Sequence, residues 1–363
     1  MARFDFSDLL GLTLGSSLGT DEDDVLELGF ASRAAAQALR TGLTFDGGDG
    51  FDRLVINGFV DFSVDQVVNL EATGLEGGPL AQGELTVEAS RLTDFGAITV
   101  GSTVFEDGSG RPVSNTLRLG GYDGLTLAPA LAVERAQTVR IELVPDSILS
   151  GPQGLQIPIY TGVLDLDLSD VAAPLGTTIE VLAPVDQPDG LDNALYSDLF
   201  EPDARVLRMF VTGSDVADRL IGNDGDDVLF GREGPDFIDG GFGDDELRGG
   251  ADGDTLIGGT GNNVLVGGAG DDVLSLGPQP LRRLAESINT VVFTPGDGTD
   301  TVLNAEFLTF LDLGAFGEVE ARAAFDGRLS SGDVLTLDFA NGERLVLEFS
   351  NARLAGLFDE GRI

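Results

Sequence analysis

Two rhythms of apolar residues run along this chain, and one replaces the other near residue 211. Upstream, within 61–210, apolar and polar positions alternate in short runs: GELTVEAS, GAITVGSTVF, NTLRLGG, DGLTLAP, TVRIELV, GVLDLDLSD and TTIEVLAP. A period of two marks strands with one buried face, and the Gly, Pro and Asp residues between the runs are turn formers. Downstream, residues 213–275 divide into seven nonapeptides: GSDVADRLI, GNDGDDVLF, GREGPDFID, GGFGDDELR, GGADGDTLI, GGTGNNVLV and GGAGDDVLS. Position 1 is glycine and position 8 is Leu or Ile in all seven; position 6 is Asp in six and Asn263 in the other. One inward apolar residue per nine suits a very short strand, and the glycines suit left-handed turns that a side chain would forbid. Helical patterning is scarce. ASRAAAQALRTG (31–42), stopped by Gly42, predicts one helix, and QPLRRLAESI (279–288) predicts a short second one. The expectation is an all-β chain: very short glycine-punctuated strands at 213–275, and a further β-rich region that is more a β-helical solenoid than a sandwich.

Composition narrows the chemistry. The chain has 363 residues, is 42% hydrophobic and carries a net charge of −41, and all 21 basic residues are arginine. Such a field repels nucleic acid and anionic lipid and attracts cations. With no histidine there is no Ser-His-Asp triad and no HExxH zinc site; with no cysteine there is no thiol nucleophile, zinc–thiolate site or disulfide; with no lysine there is no Schiff base. The G-x-S-x-G match GSSLG (15–19), which would make Ser17 a nucleophile, therefore lacks its base. Acid-rich, lysine-free composition also arises in halophiles or from GC-rich coding, but neither produces a nine-residue beat. The opening MARFDFSDLLGLTLGSSLG has Asp5 and Asp8 inside its apolar run and only Arg3 as a basic residue, unlike a Sec signal. No 18-residue apolar span is present, so no transmembrane helix is expected.

The nonapeptides resemble the G-G-x-G-x-D-x-U-x repeats of RTX (repeats-in-toxin) calcium-binding proteins, which form a parallel β-roll. The resemblance implies two nonapeptides per coil, so that turns n and n+2 stack, with calcium between successive turns. It implies several Ca2+ ions, roughly five if each stacked pair holds one. The side-chain ligands would be Asp218, Asp227, Asp236, Asp245, Asp254, Asn263 and Asp272, with Asp224 beside them. Backbone carbonyls at Gly222, Gly231, Gly240, Gly249 and Gly258 would complete the sites. The pattern departs at Asn263, a neutral ligand, at GSDVADRLI, which lacks the position-4 glycine, and at Asp252, which occupies position 4. Fragments recur elsewhere. GGDGFDRLV (47–55) places Asp52 at position 6, GTDEDDVLE (19–27) places Asp24 there, and PGDGTDTVL (295–303) keeps Gly298 and Asp300. Asp52 and Asp300 are added to the metal candidates.

Four segments follow: 1–60 with repeat-like turns and one short helix; 61–210, a β-rich domain; 211–278, the calcium-binding roll; and 279–363, a capping and secretion-signal region. The stretch SGDVLTLDFANGERLVLEFSNARLAGLF (331–358) resembles the segment that follows the roll in RTX proteins. The resemblance implies type I secretion of an unfolded chain that folds outside the cell in millimolar calcium. The function expected is that of a secreted calcium-binding protein with a structural, matrix, surface-layer or adhesin-like role, self-associating or binding a cell-surface or polysaccharide ligand. The alternative is a secreted glycosidase or lyase using carboxylate, Tyr or Arg chemistry in 61–210, where Tyr122, Tyr160, Tyr196, Arg118 and Arg140 lie.

Overall fold

A computed structural model describes residues 2–4, 17–18, 22–38, 44–62, 66–76, 83–101, 105–106, 112–113, 115–123, 125–134, 137–144, 147–150, 156–159, 163–182, 207–223, 225–277, 288–305 and 308–349. The fold is all-β and solenoid-like, built mainly from long parallel sheets. The chain forms two compact units, Met1–Pro184 and Val185–Ile363.

The first unit is a parallel solenoid with three walls. One wall stacks Ala2–Phe4, Asp24–Leu28, Arg53–Ile56, Ala72–Leu75, Ala97–Val100 and Leu131–Val133. A second stacks Phe59–Asp61, Glu84–Glu88, Asn115–Gly120, Thr138–Leu143 and Thr178–Leu182. A third contains Ser17–Leu18, Thr44–Asp46 and Gln66–Val68. A single coil thus runs through 66–68, 72–75 and 84–88, visiting each wall once. The alternating runs explain the interior: register aligns Leu85, Leu117, Ile141 and Val181 in one buried column and Val87, Leu119 and Leu143 in the next. The predicted helix is present as Arg33–Ala38, opened by Ser32, whose Oγ accepts from the Ala35 amide at 3.2 Å. Residues 39–42 of that prediction lie outside the described residues. Arg33 clamps the buried Glu84 with two bonds of 2.6 and 2.7 Å.

The second unit contains the roll. Its two walls alternate nonapeptides. One stacks Ala217–Ile221, Phe237–Asp239, Thr255–Ile257, Val273–Ser275 and Thr299–Leu303; the other stacks Arg208–Thr212, Val228–Arg232, Glu246–Ala251, Val264–Ala269 and Asn289–Val292. Turns n and n+2 pair in parallel. Position 8 forms one inward column per wall: Leu220, Ile238, Leu256, Leu274 and Val302 on one, Leu229, Leu247, Leu265 and Val291 on the other, all fully buried. The ladder thus continues past the seventh repeat, across residues 278–287, which lie outside the described residues together with nearly all of the predicted 279–288 helix.

Beyond the roll, Arg344–Glu348 pairs in parallel with Thr299–Leu303, and Val334–Asp338 and Leu329–Ser331 follow by antiparallel pairing. Phe293, Phe316 and Phe339 pack together beneath the last turns, with ring centroids 4.2–5.6 Å apart. The helix Glu318–Asp326 is not foreseen in the β-like reading of this region. It buries only Ala324, so no apolar stripe announces it, but Glu318 and Glu320 in its first turn and Gly317 and Gly327 at its ends suit a short surface helix.

Candidate metal centre

Each position-6 side chain sits where a strand begins, just ahead of the inward position-8 residue, and is drawn under the roll's surface. Asp218, Asp227, Asp236, Asp245, Asp254, Asn263, Asp272 and Asp300 are all at most 3% exposed. In the turns that follow the first two, one side-chain oxygen accepts the backbone amide of the position-6 residue one coil earlier. Asp236 accepts from Asp218 at 2.8 Å, Asp254 from Asp236 at 2.8 Å, Asp272 from Asp254 at 2.8 Å and Asp300 from Asp272 at 3.2 Å. On the other wall Asp245 accepts from Asp227 at 2.9 Å and Asn263 from Asp245 at 3.0 Å. Two continuous ladders of side chains therefore run along the corners of the roll.

The second oxygen has no such partner. Oδ2 of Asp236, Asp245, Asp254, Asp272 and Asp300 is buried without a hydrogen bond. A buried unpaired polar atom is costly, and a charged one more so. In the repeats these oxygens point at the position-1 glycines. A Cβ added to Gly231 would stand 2.7 Å from the Gly249 carbonyl oxygen and closer still to Asp236 Oδ2; one on Gly249 would stand 2.6 Å from the Gly267 carbonyl oxygen and against Asp254 Oδ2. At Gly213 the same place is shared by Asp218 Oδ2 and the Gly231 carbonyl, and at Gly222 by Asp227 Oδ2 and the Gly240 carbonyl. Position 1 is glycine because a carboxylate oxygen and the next turn's carbonyl already converge there. At Gly231 and Gly249, where no donor reaches the carboxylate oxygen, two oxygens held around one point are what a hard cation coordinates, at about 2.3–2.6 Å.

The carbonyls of Gly231, Gly240, Gly249 and also Gly267, which the sequence did not single out, are brought to these points. Gly222 and Gly258 contribute as the glycines against which Asp227 and Asn263 lie; at Gly258 the neighbour is the neutral Asn263 amide nitrogen, 3.0 Å from the Cβ position. Asp218 and Asp227 differ from the later carboxylates, because the amides of Ser214 and Asn223 already donate to their Oδ2 atoms at 2.6 and 3.0 Å. Asp224 lies outside the described residues. Asp252 takes up the left-handed backbone that position 4 requires, with φ of 73°. Asn289 was missed. It occupies the position-6 place after Asn263, accepting the Asn263 amide at 3.1 Å, but the chain between them interrupts the nine-residue count. Among the described residues no three acidic side chains gather to hold a metal by themselves, so an ion here would rest on one carboxylate oxygen per turn together with main-chain carbonyls.

Electrostatics sharpen the picture. Burial pushes the carboxyls of Asp236, Asp245 and Asp300 up to about 8 and those of Asp218, Asp227 and Asp254 to about 7, while Asp272 reaches about 6. The amide bonds work in the opposite direction without cancelling the desolvation, and neighbouring carboxylates in the ladder add to it. Metal-free, these rows are poised to hold protons near neutrality; a cation would replace the protons.

Among the groups considered for catalysis, Tyr122 is fully buried, Arg118 pairs with Glu142 at 3.3 Å and Arg140 with Glu180 at 2.6 Å. Tyr160 and Tyr196 lie outside the described residues. Ser17 lies in a two-residue strand paired with Thr44–Asp46. Among the described residues no helix is long and apolar enough to cross a membrane.

Residues 212–247, and again 248–279, match the RTX calcium-binding nonapeptide repeat (4 copies). No curated protein matches the chain. The matched stretch contains every position-6 residue from Asp218 to Asp272 and stops short of Asn289 and Asp300.

Proposed function

We propose that calcium enters between successive turns of the repeat block, that its binding drives folding of the roll, and that this happens after export of the unfolded chain by type I secretion. The row of buried Oδ2 atoms without partners, set against the repeat glycines, carries this reading. A roll whose described residues bury five such oxygens gains little from closing until a cation arrives, and metal binding then becomes folding free energy. Cytosolic calcium is too scarce to fill sites of the millimolar class found in extracellular modules, so the external medium supplies the trigger. The absence of cysteine is consistent with that route. Outside the cell the folded solenoid would serve a structural, matrix, surface-layer or adhesin-like role.

The test is a calcium titration of chelator-treated protein followed by far-UV circular dichroism and calorimetry. A cooperative gain of β structure near millimolar calcium, not reproduced by magnesium, is the expected result. A chain fully folded in chelator, taking up no calcium, would leave the repeats as a scaffold only and sink the reading.

A further inference from the structure

We propose that the first unit holds a calcium site of its own, at Asp52 and the carbonyl of Asn69, outside the repeat block. The geometry there reproduces the roll's ladder. Asp52 is completely buried, and its Oδ1 accepts the Asp24 amide at 2.7 Å, as Asp236 accepts that of Asp218. Its Oδ2 is buried with no hydrogen bond. That oxygen lies against Gly47, five residues earlier, the interval that separates Gly231 from Asp236. A Cβ on Gly47 would meet both Asp52 Oδ2 and the Asn69 carbonyl oxygen more closely than real Cβ atoms approach anything. Asn69 has φ of 55°, a left-handed conformation that asparagine tolerates.

The surroundings favour a hard divalent cation over a proton or an amine. The amide of Asp52 donates to Glu71 at 2.7 Å, and Asp46 Oδ1 accepts from Gly48 and the Asn69 side chain at 3.2 and 2.7 Å. Asp23 stands beside Asp24 and accepts the Phe51 amide at 2.9 Å. Asp52 thus has three further carboxylates on the segments around it, and every donor named to these three is an amide rather than an arginine. Calcium fits better than magnesium, because the oxygens are fixed by backbone and ladder and cannot rearrange into a tight octahedron. The repeat match begins at residue 212, so nothing in it covers this site.

Hydrogen exchange of the full-length protein, with and without calcium, tests the idea alongside a count of bound ions by native mass spectrometry. In the wild type, peptides spanning 47–56 and 69–75 should exchange about tenfold more slowly at calcium ten times the Kd of the site. Asp52→Asn keeps the Asp24 bond and places an amide donor where Oδ2 faced the Asn69 carbonyl. The variant should bind one ion fewer, show protection at 47–56 that calcium no longer changes, and leave the calcium response of 213–275 as it was. A wild-type exchange pattern at 47–75 indifferent to calcium, while 213–275 responds, overturns this site and spares the roll. A response at 47–75 with none at 213–275 does the reverse. The wild-type measurement decides even if the variant folds poorly.

Discussion

The two solenoid regions of this molecule solve the same stacking problem with different interiors. In the first unit each long strand sends two or three apolar residues inward, such as Leu117 and Leu119 or Val139, Ile141 and Leu143, and the buried core includes Phe95 and Ile98. In the seven repeats each strand sends in one, and the inward position two residues earlier is a carboxylate or, at Asn263, an amide. Apolar burial opposes the entropy of ordering the chain, and per strand the first unit buries two to three times as many apolar side chains as a repeat does. Burial therefore carries a larger share of the stability in the first unit than in the roll. On the proposed reading, ions make up what the roll lacks in apolar surface. The comparison then predicts a first unit whose core depends little on calcium, apart from the segments around Asp52, and a roll whose folding depends on it.

Chelation is the strongest way to break that comparison. Exchange at Leu229, Leu247 and Leu265 should rise to near the unfolded rate when calcium is removed, while Leu85, Leu117 and Ile141 stay protected. Each ion held at a hundred times its Kd contributes about 2.7 kcal/mol, so the loss of several is more than a small unit withstands. Equal loss in both regions would refute the division.

The pH response follows in size. The buried aspartates have folded pKa values of about 6–8 against an ordinary 3.8, so the metal-free roll binds protons that the unfolded chain has released. The folded state holds more protons across that window, and stability therefore falls as pH rises from about 4 to about 8. In chelator, the residual β structure and exchange protection of the roll should be greater at pH 5 than at pH 8. In saturating calcium the order should invert, because the ion needs the carboxylates deprotonated. Matching trends with and without calcium would show that these groups do not meet the ion.

Asn263→Asp sharpens the contrast within the roll itself. It extends the second corner's carboxylate ladder, which Asn263 and Asn289 leave neutral. The calcium midpoint should drop several-fold, since affinity in such sites rises with ligand charge, and the chelated protein should become less stable. A midpoint that rises instead would place the ion elsewhere. The smallest effect belongs to Asp244→Ala. Its carboxylate sits on the exposed corner and accepts the Asn262 amide and side chain at 2.8 and 3.0 Å. Its loss should cost about 0.5–1.5 kcal/mol of unfolding free energy whether or not calcium is present.

How much of this could be read in the sequence depended on whether a feature repeats. Leu220, Leu229 and Ile238 announce their columns because the count of nine brings each back to an equivalent corner. The alternation in TVRIELV likewise fixed which residues of 138–144 face inward. The three walls of the first unit were less legible, because its coils differ in length and the turns between 75 and 84 or 120 and 131 follow no count. Asn289 was hidden by the residues inserted between 276 and 288. The carbonyls of Gly267 and Asn69 were hidden for a deeper reason: every residue carries one, and only the folded backbone decides where it points.

A stack of equivalent parallel rungs has no internal reason to stop growing, and every added copy would present the same edge to the next. Here one wall's last parallel rung, Arg344–Glu348, is followed by a strand of reversed direction, and the outermost, Leu329–Ser331, is three residues long and exposed. A partner's rung arriving at that wall meets the wrong polarity and almost no length on which to pair. The hairpin is in effect a chain terminator on that wall alone: the other wall ends on Leu308–Asp312, which runs parallel to Asn289–Val292 and keeps the polarity that a further rung would need.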